Sequence, residues 1–204
     1  MVFHNERETQ NLEEKRKSRL PPGQHLTERF PVLQKGRIPN IDRENYILEF
    51  DGEIENPMRF TLKQLKEIQD KEIMVDIHCV TSWSKYNTRW GGISFNKIFN
   101  LTKPKPAANY VEFLCADDGF TTTVPIEKLK KENTILALTY DGLPITEKHG
   151  GPVRPIIPDL YFYKSAKWVL RITFLKEDRL GYWERGGYSN KADPWKQQRY
   201  SYQD

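Results

Sequence analysis

A single cysteine at the end of a predicted strand is the strongest constraint on this chain. Ile73, Val75 and Ile77 fall on one side of Glu72–Cys79, which is the period of a half-buried strand, and the segment Cys79-Val80-Thr81-Ser82-Trp83-Ser84 begins at its end. Because a buried strand is rigid, the thiol of Cys79 should have a fixed position. A thiolate with neighbouring hydroxyls suits one bond to a soft or high-valent metal. The alternative is a small cysteine that only fills the core.

A cluster of cationic side chains lies about 70 residues further along the chain. His149, Arg154, Lys164 and Lys167 fall within 19 residues, among glycine, serine and proline residues. Arginine offers phosphate a bidentate fork, and lysine offers a point charge. Since core-like sequence flanks the cluster, we expect its charged ends at the wall of a pocket that binds an anion. The alternative is a solvated basic loop.

The other residues give little support to a structural zinc site or to a hydrolytic site. His78 precedes Cys79 on the strand, so it should point to the opposite face and is not counted as a co-ligand. One cysteine falls short of the four ligands of structural zinc. The four histidines are isolated in the sequence, and neither a Ser/His/Asp arrangement nor a carboxylate pair stands out. The evidence for hydrolysis is therefore weak.

Two glycine-containing segments are rich in aromatic residues. In Trp90-Gly91-Gly92 the glycines are expected to let the backbone approach a ligand closely. The stretch Gly181–Tyr188 is interpreted as the packed edge of a core rather than an active-site lid.

Composition limits the partners and the compartment. A chain of 204 residues can form one substantial core, here predicted over residues 21–204 after a polar arm at residues 1–20. The formal net charge of +4 is too small to argue for a nucleic-acid partner, although a basic nucleic-acid binder is a third alternative. No apolar stretch approaches the roughly 20 residues that span a bilayer, and no export signal is visible. We therefore expect no membrane association, a cytoplasmic protein and two reduced thiols.

The pattern of elements predicts an α+β fold with mixed β-sheets and short helices. Thr61 and Ser94 are expected to cap two of the helices, and Phe30–Leu33 should lie extended on the core. The connections are too irregular for a doubly wound fold. Strands are predicted at residues 46–50, 72–79, 110–115, 120–124, 134–140 and 168–174.

Three ordered motifs together resemble the molybdopterin-binding domain of the sulfite oxidase superfamily. The first is Cys79-Val80-Thr81-Ser82-Trp83-Ser84 with Trp90-Gly91-Gly92, the second is His149-Gly150-Gly151-Pro152-Val153-Arg154, and the third is Tyr163-Lys164-Ser165-Ala166-Lys167-Trp168. The resemblance runs from about Pro21 to Tyr200, and the length is similar to that of small single-domain members. It implies a molybdenum-dependent oxidoreductase that holds its metal through one molybdopterin and one protein thiolate, without haem.

The resemblance also implies roles for individual residues. Cys79 takes the position of the metal ligand, with Trp90 and Phe120 beside it. The remaining candidates are expected to contact the cofactor: Phe30, Pro31, Val32 and Leu33 through the backbone, Cys115 beside the pterin, and His149, Arg154, Lys164, Ser165, Ala166 and Lys167 around the pterin and its phosphate.

Departures from the family pattern bear on the substrate. Ser84 stands where true sulfite oxidases carry an arginine, and Phe120 aligns with their tyrosine beside the metal. Each charge-assisted bond lost to a dianion is typically worth about 1.5–3 kcal/mol. We therefore expect two-electron oxygen-atom transfer on a small S- or N-oxide, or on another oxyanion than sulfite, with an external electron donor or acceptor protein. The alternative is a non-catalytic module that binds molybdopterin or another anion.

Overall fold

The computed structural model describes residues 19–204, so residues 1–18 of the predicted polar arm lie outside the described part of the chain. Short helices connect two β-sheets, which confirms the α+β prediction. The helices are α1 (Leu62–Glu67), α2 (Phe95–Thr102), α3 (Ile126–Leu129) and α4 (Tyr182–Arg185). The strands are β1 (His25–Leu26), β2 (Ile47–Gly52), β3 (Met58–Thr61), β4 (Lys71–His78), β5 (Trp83–Ser94), β6 (Tyr110–Cys115), β7 (Thr121–Pro125), β8 (Ile135–Tyr140), β9 (Leu143–Pro144), β10 (Arg154–Ile156) and β11 (Val169–Leu175).

Both sheets mix parallel and antiparallel pairs. In the first sheet, the long strand β5 pairs with β1 in parallel and with β4 and β8 antiparallel, while β8 also pairs with β9 and β10. In the second sheet, the order is β3-β2-β11-β6-β7, and β2 and β11 are its parallel neighbours. The main hydrophobic core takes residues from both sheets, such as Leu136 and Phe113, together with Leu65 of α1 and Phe95 of α2.

Local sequence signals correctly locate the helix starts. The Thr61 hydroxyl accepts a hydrogen bond from the amide of Gln64 at 3.2 Å, and the Gln64 side chain accepts one from the Thr61 amide, which completes a capping box. The Ser94 hydroxyl likewise accepts from the amide of Lys97 at 3.2 Å. Each cap satisfies donors that the first helical turn leaves free.

The structure corrects the interpretation of two segments. A Cβ atom on Gly92 would lie 2.1 Å from the carbonyl oxygen of Leu136, and one on Gly91 would lie 2.5 Å from Thr139 Oγ1. The glycines therefore permit the close approach of β5 to β8, not the approach of a ligand. Phe30–Leu33 forms no regular secondary structure, and it packs inward mainly through its first residue, because Val32 and Leu33 are 38% and 50% exposed.

Candidate active site

A cavity of about 240 Å³ opens where loops from the two sheets meet. Cys79 reaches it from the turn after β4, and Phe120 reaches it just before β7. His149 comes from the 3-10 turn Glu147–His149, and Arg154 begins β10. Thus the fold brings the thiol and most of the distant cation cluster to one cavity. The predicted site residues that line it are Phe30, Pro31, Leu33, Cys79, Phe120, His149, Arg154, Ser165, Ala166 and Lys167.

A tight turn presents the thiol of Cys79 to the cavity. The amide of Cys79 donates to the carbonyl of Trp83 at 2.8 Å, and the amide of Ser82, at φ 73°, donates back to the Cys79 carbonyl at 3.0 Å. The Cys79 sulfur lies 3.1 Å from Thr81 Oγ1. Burial raises the pKa of the Cys79 thiol, while the Thr81 hydroxyl and the charge of Arg199 oppose that rise.

Arg154 is a buried cation with unused hydrogen-bonding capacity. It is 1% exposed; its Nη1 donates to the carbonyl of His149 at 2.7 Å and its Nη2 to the carbonyl of Ser165. Its buried Nε has no hydrogen-bond partner within the described chain. Burial lowers the Arg154 pKa to about 9. A buried guanidinium with an unpaired donor at a cavity wall is suited to an anionic ligand.

Two more basic groups beside Arg154 also lack a full counter-charge. The pKa of His149 is lowered to about 4 by burial and by the charges of Arg154, Lys167 and Lys148. The pKa of Lys167 is lowered to about 7, first by burial and then by Arg154. Phe30 stacks on the His149 ring with centroids 4.0 Å apart, which fixes that ring. An anion in the cavity would favour the protonated form of both groups.

Sulfate should therefore bind the cofactor-free protein more tightly at pH 6 than at pH 8. Below pH 7 Lys167 is already protonated, whereas above it sulfate binding must take up a proton, so affinity falls by up to about tenfold per pH unit. Sulfate itself stays a dianion throughout this range. Isothermal titration at pH 6, 7 and 8 measures the slope. Lys167→Met should flatten it, and an equal slope in that variant would contradict the assignment.

Lys164 corrects the predicted anion cluster. Its ammonium is fully buried and donates to Glu184, to the Thr123 carbonyl at 2.9 Å and to Asn190 Oδ1 at 3.0 Å. Glu184 Oε1 also accepts from the Thr122 hydroxyl at 2.7 Å. Because Glu184 and two oxygens already satisfy this lysine and it does not line the cavity, its charge holds α4 against β7 instead of facing an anion.

Lys164→Met should destabilise the cofactor-free protein by about 3–5 kcal/mol, because Glu184 would be left as a buried, uncompensated carboxylate. The free energy of unfolding in urea measures this. Lys131→Met is the matched control, since the pair of Lys131 with Asp159 is partly exposed and should be worth less than about 1 kcal/mol. Similar losses in the two variants would show that the buried pair has no special role.

Three other predicted residues lie away from the cavity. Trp90 is fully buried behind Arg154, whose guanidinium carbon is 5.8 Å from its ring, and its Nε1 donates to Thr88 Oγ1 at 2.9 Å. Cys115 lies in the main core at 2% exposure, and Val32 does not line the cavity although Pro31 and Leu33 on either side of it do. The position of Trp90 in its motif does not report the direction of its side chain, and the contact expected of Val32 through its backbone stays a prediction.

Several wall residues were missed. The indole Nε1 of Trp83 is buried without a partner within residues 19–204, although Trp83 lines the cavity. Trp183 and Tyr188 also line it, so the aromatic tail is part of the site and not only a core edge. The signal for Trp83 was its place four residues after Cys79. The other unassigned wall residues include Lys35, Asp117 and Phe162.

Comparison with known proteins finds a family model and several relatives that match this chain. The family model described as "Oxidoreductase molybdopterin binding domain" matches residues 35–183. The chain is 40% identical over 185 residues to "Uncharacterized oxidoreductase YuiH" of Bacillus subtilis, covering 90% of this chain and 93% of that protein. It is 25% identical to "Protein-methionine-sulfoxide reductase catalytic subunit MsrP" of Campylobacter jejuni, over 71% of this chain but only 54% of that protein.

A solved structure shows the same fold. The crystal structure of the sulfane dehydrogenase SoxCD from Paracoccus pantotrophus has a TM-score of 0.65 with this chain, at 19% identity, covering 74% of this chain and 43% of that one. The chain belongs to the molybdopterin-binding oxidoreductase family of the sulfite oxidase superfamily, and it is a molybdopterin-dependent enzyme. Within residues 19–204, none of the helices is both long and apolar enough to cross a bilayer.

The site residues fit the family cofactor. One cavity contains the thiol of Cys79 and three basic side chains whose pKa values are lowered, first of all by burial. The unpaired Nε of Arg154 adds a donor for an anion. A thiolate suits molybdenum, and the basic side chains suit the cofactor phosphate.

Proposed function

We propose that this enzyme reduces a small, neutral S- or N-oxide by two-electron oxygen-atom transfer. The observation that carries the proposal is that the Cys79 thiol lines one cavity together with neutral aromatic side chains and with a basic wall formed by His149, Arg154 and Lys167. In the reaction the S–O or N–O bond breaks, two electrons come from a donor protein, two protons come from solvent, and the oxygen leaves as water.

Different residues of the cavity would hold different parts of the cofactor. Cys79 would hold the metal, and His149, Arg154, Ser165 and Lys167 would hold the pterin and its phosphate. When bound, the molybdenum cofactor supplies the two-electron redox chemistry. The protein fixes the thiol through the turn at Cys79 and orders the basic wall through the two carbonyl contacts of Arg154.

The residues at positions 84 and 120 favour a neutral oxide over sulfite. Ser84 is fully buried, where its hydroxyl contacts His78 Nδ1 at 2.8 Å and donates to Gln24 Oε1 at 3.2 Å, so it offers no charge to a dianion. Phe120 lines the cavity with an apolar ring. The unpaired indole N–H of Trp83 is a neutral donor of the kind that an oxide oxygen accepts.

The relatives are consistent with this substrate class. One of the relatives described above, MsrP of Campylobacter jejuni, carries the name of a methionine-sulfoxide reductase. Methionine sulfoxide is therefore the first substrate to test. Electrons would come from a separate redox protein, which we place with the enzyme in the cytoplasm.

An anaerobic screen of the loaded enzyme tests the proposal. Methionine sulfoxide, dimethyl sulfoxide and trimethylamine N-oxide are supplied with reduced viologen, and sulfite is supplied with ferricyanide. We expect a kcat/KM for at least one oxide that exceeds the value for sulfite by about a hundredfold, which is the loss of two charge-assisted bonds at the low end of their range. Faster oxidation of sulfite would overturn the proposal. Bound pterin and molybdenum without turnover of any substrate would favour the non-catalytic alternative.

A further inference from the structure

The turn that carries Cys79 is held from outside by two distant segments. Gln24 Nε2 donates to the carbonyl of Cys79 at 3.1 Å, and the amide of His25 donates to the carbonyl of Ser82 at 2.9 Å. The carbonyl of Val80 accepts from Nη1 of Arg199, which lies 119 residues further along the chain. All three carbonyls are therefore bound by groups that do not belong to the turn.

Arg199 connects the two outside segments to each other. Its Nη2 donates to the carbonyl of Gly23 at 3.1 Å, so one guanidinium bridges the turn and the stretch that carries Gln24. The guanidinium carbon lies 5.0 Å from the centre of the Tyr161 ring. A planar fork that makes two bonds and rests on a ring has little freedom to move.

The backbone of Arg199 is anchored independently of its side chain. Its carbonyl accepts from the amide of Ser189 at 3.0 Å, and its amide donates to Gln203 Oε1 at 2.9 Å. A substitution at position 199 can therefore remove the fork while the C-terminal segment keeps its place.

We propose that Arg199 is a positioning residue for Cys79. Its fork fixes the turn over residues 79–83 so that the thiol stays directed into the cavity. The positioning of the thiol stands on the hydrogen bonds of this structure alone, whereas its consequence for the metal rests on the function proposed above.

The test compares Arg199→Gln and Arg199→Lys with Lys196→Gln, which removes an exposed cation from the same segment. Hydrogen exchange of the full-length protein, made with and without the cofactor, follows the amide of Ser82. In Arg199→Gln we expect exchange about tenfold faster at Ser82, the effect of losing one bond to a charged donor, with unchanged exchange in β4 and over residues 189–204. Arg199→Lys should recover part of the protection, and Lys196→Gln should match the wild type.

A spectroscopic measurement separates positioning from mere support of the fold. In the loaded protein, Arg199→Gln should change the g-values of the Mo(V) resonance while the pterin content stays within about twofold of wild type, because the basic wall is untouched. Wild-type exchange at Ser82 in Arg199→Gln would overturn the proposal. So would faster exchange spread over residues 189–204 together with an unchanged resonance. If wild-type protein binds no molybdenum, the function proposed above fails, and the exchange measurement still decides the role of Arg199.

Discussion

Cys79→Ser should reduce turnover of the best oxide substrate to less than about a thousandth of the wild-type value. That loss corresponds to at least about 4 kcal/mol of transition-state stabilisation. The reason is that serine offers a hard hydroxyl where the metal requires a soft thiolate. The pterin should remain bound, because its proposed anchors His149, Arg154 and Lys167 are unchanged in this variant. Steady-state kinetics, metal analysis and fluorescence of the released pterin measure the three quantities.

The second cysteine provides the matched control. Cys115 lies in the main core away from the cavity, so Cys115→Ala should keep turnover within about threefold of wild type and cost about 1 kcal/mol of stability for the atom it removes. Equal losses of turnover in the two variants would mean that the structure misplaces the metal ligand. Loss of pterin from Cys79→Ser would mean that the basic wall alone does not hold the cofactor.

Arg154→Met should lower retention of the pterin by at least about a hundredfold. The side chain is the most deeply buried cation that lines the cavity, and its Nε has no hydrogen-bond partner within residues 19–204. A bond to a charged group is worth about 1.5–3 kcal/mol, and this variant also removes the donors that order the carbonyls of His149 and Ser165. Dialysis followed by pterin fluorescence measures the retained fraction.

Two further variants test whether the retention of pterin depends on the guanidinium of Arg154 in particular. Arg154→Lys keeps a positive charge but loses the planar fork, so it should retain an intermediate amount of pterin. Arg171→Met removes a partly exposed arginine of β11 that pairs with Glu49. This variant should retain as much pterin as the wild type. Wild-type retention in Arg154→Met would rule out the basic wall as the principal anchor.

The sequence predicts those features that depend on neighbouring residues. Thr61 and Ser94 begin helices because a hydroxyl followed by a helical pattern satisfies the first free amides. Only the family motifs predict that Cys79 and Arg154 lie close together, since no local pattern relates residues that are 75 positions apart. The resemblance therefore supplied the long-range part of the site.

The remaining residues depended on contacts that the sequence does not express. The sequence predicts Lys164 as an anion ligand, because it does not show that Glu184, 20 residues away, is the buried partner of this lysine. The sequence pattern does not predict strand β5, because its polar residues, such as Lys85 and Thr88, fall at irregular spacing. Bulges interrupt the pairing of β5 with β4 and β8 and disturb the alternation. Trp183 and Tyr188 have a composition that suits either a core or a cavity wall.

The wall of the cavity joins residues from distant parts of the chain, from Phe30 to Tyr188. Residues near the C-terminus are synthesised last, and a domain generally folds as a unit once its chain has emerged from the ribosome. A pocket that needs Tyr188 does not exist on a shorter nascent chain. We therefore expect the cofactor to be loaded after synthesis has passed this tyrosine, as a step of maturation rather than of translation.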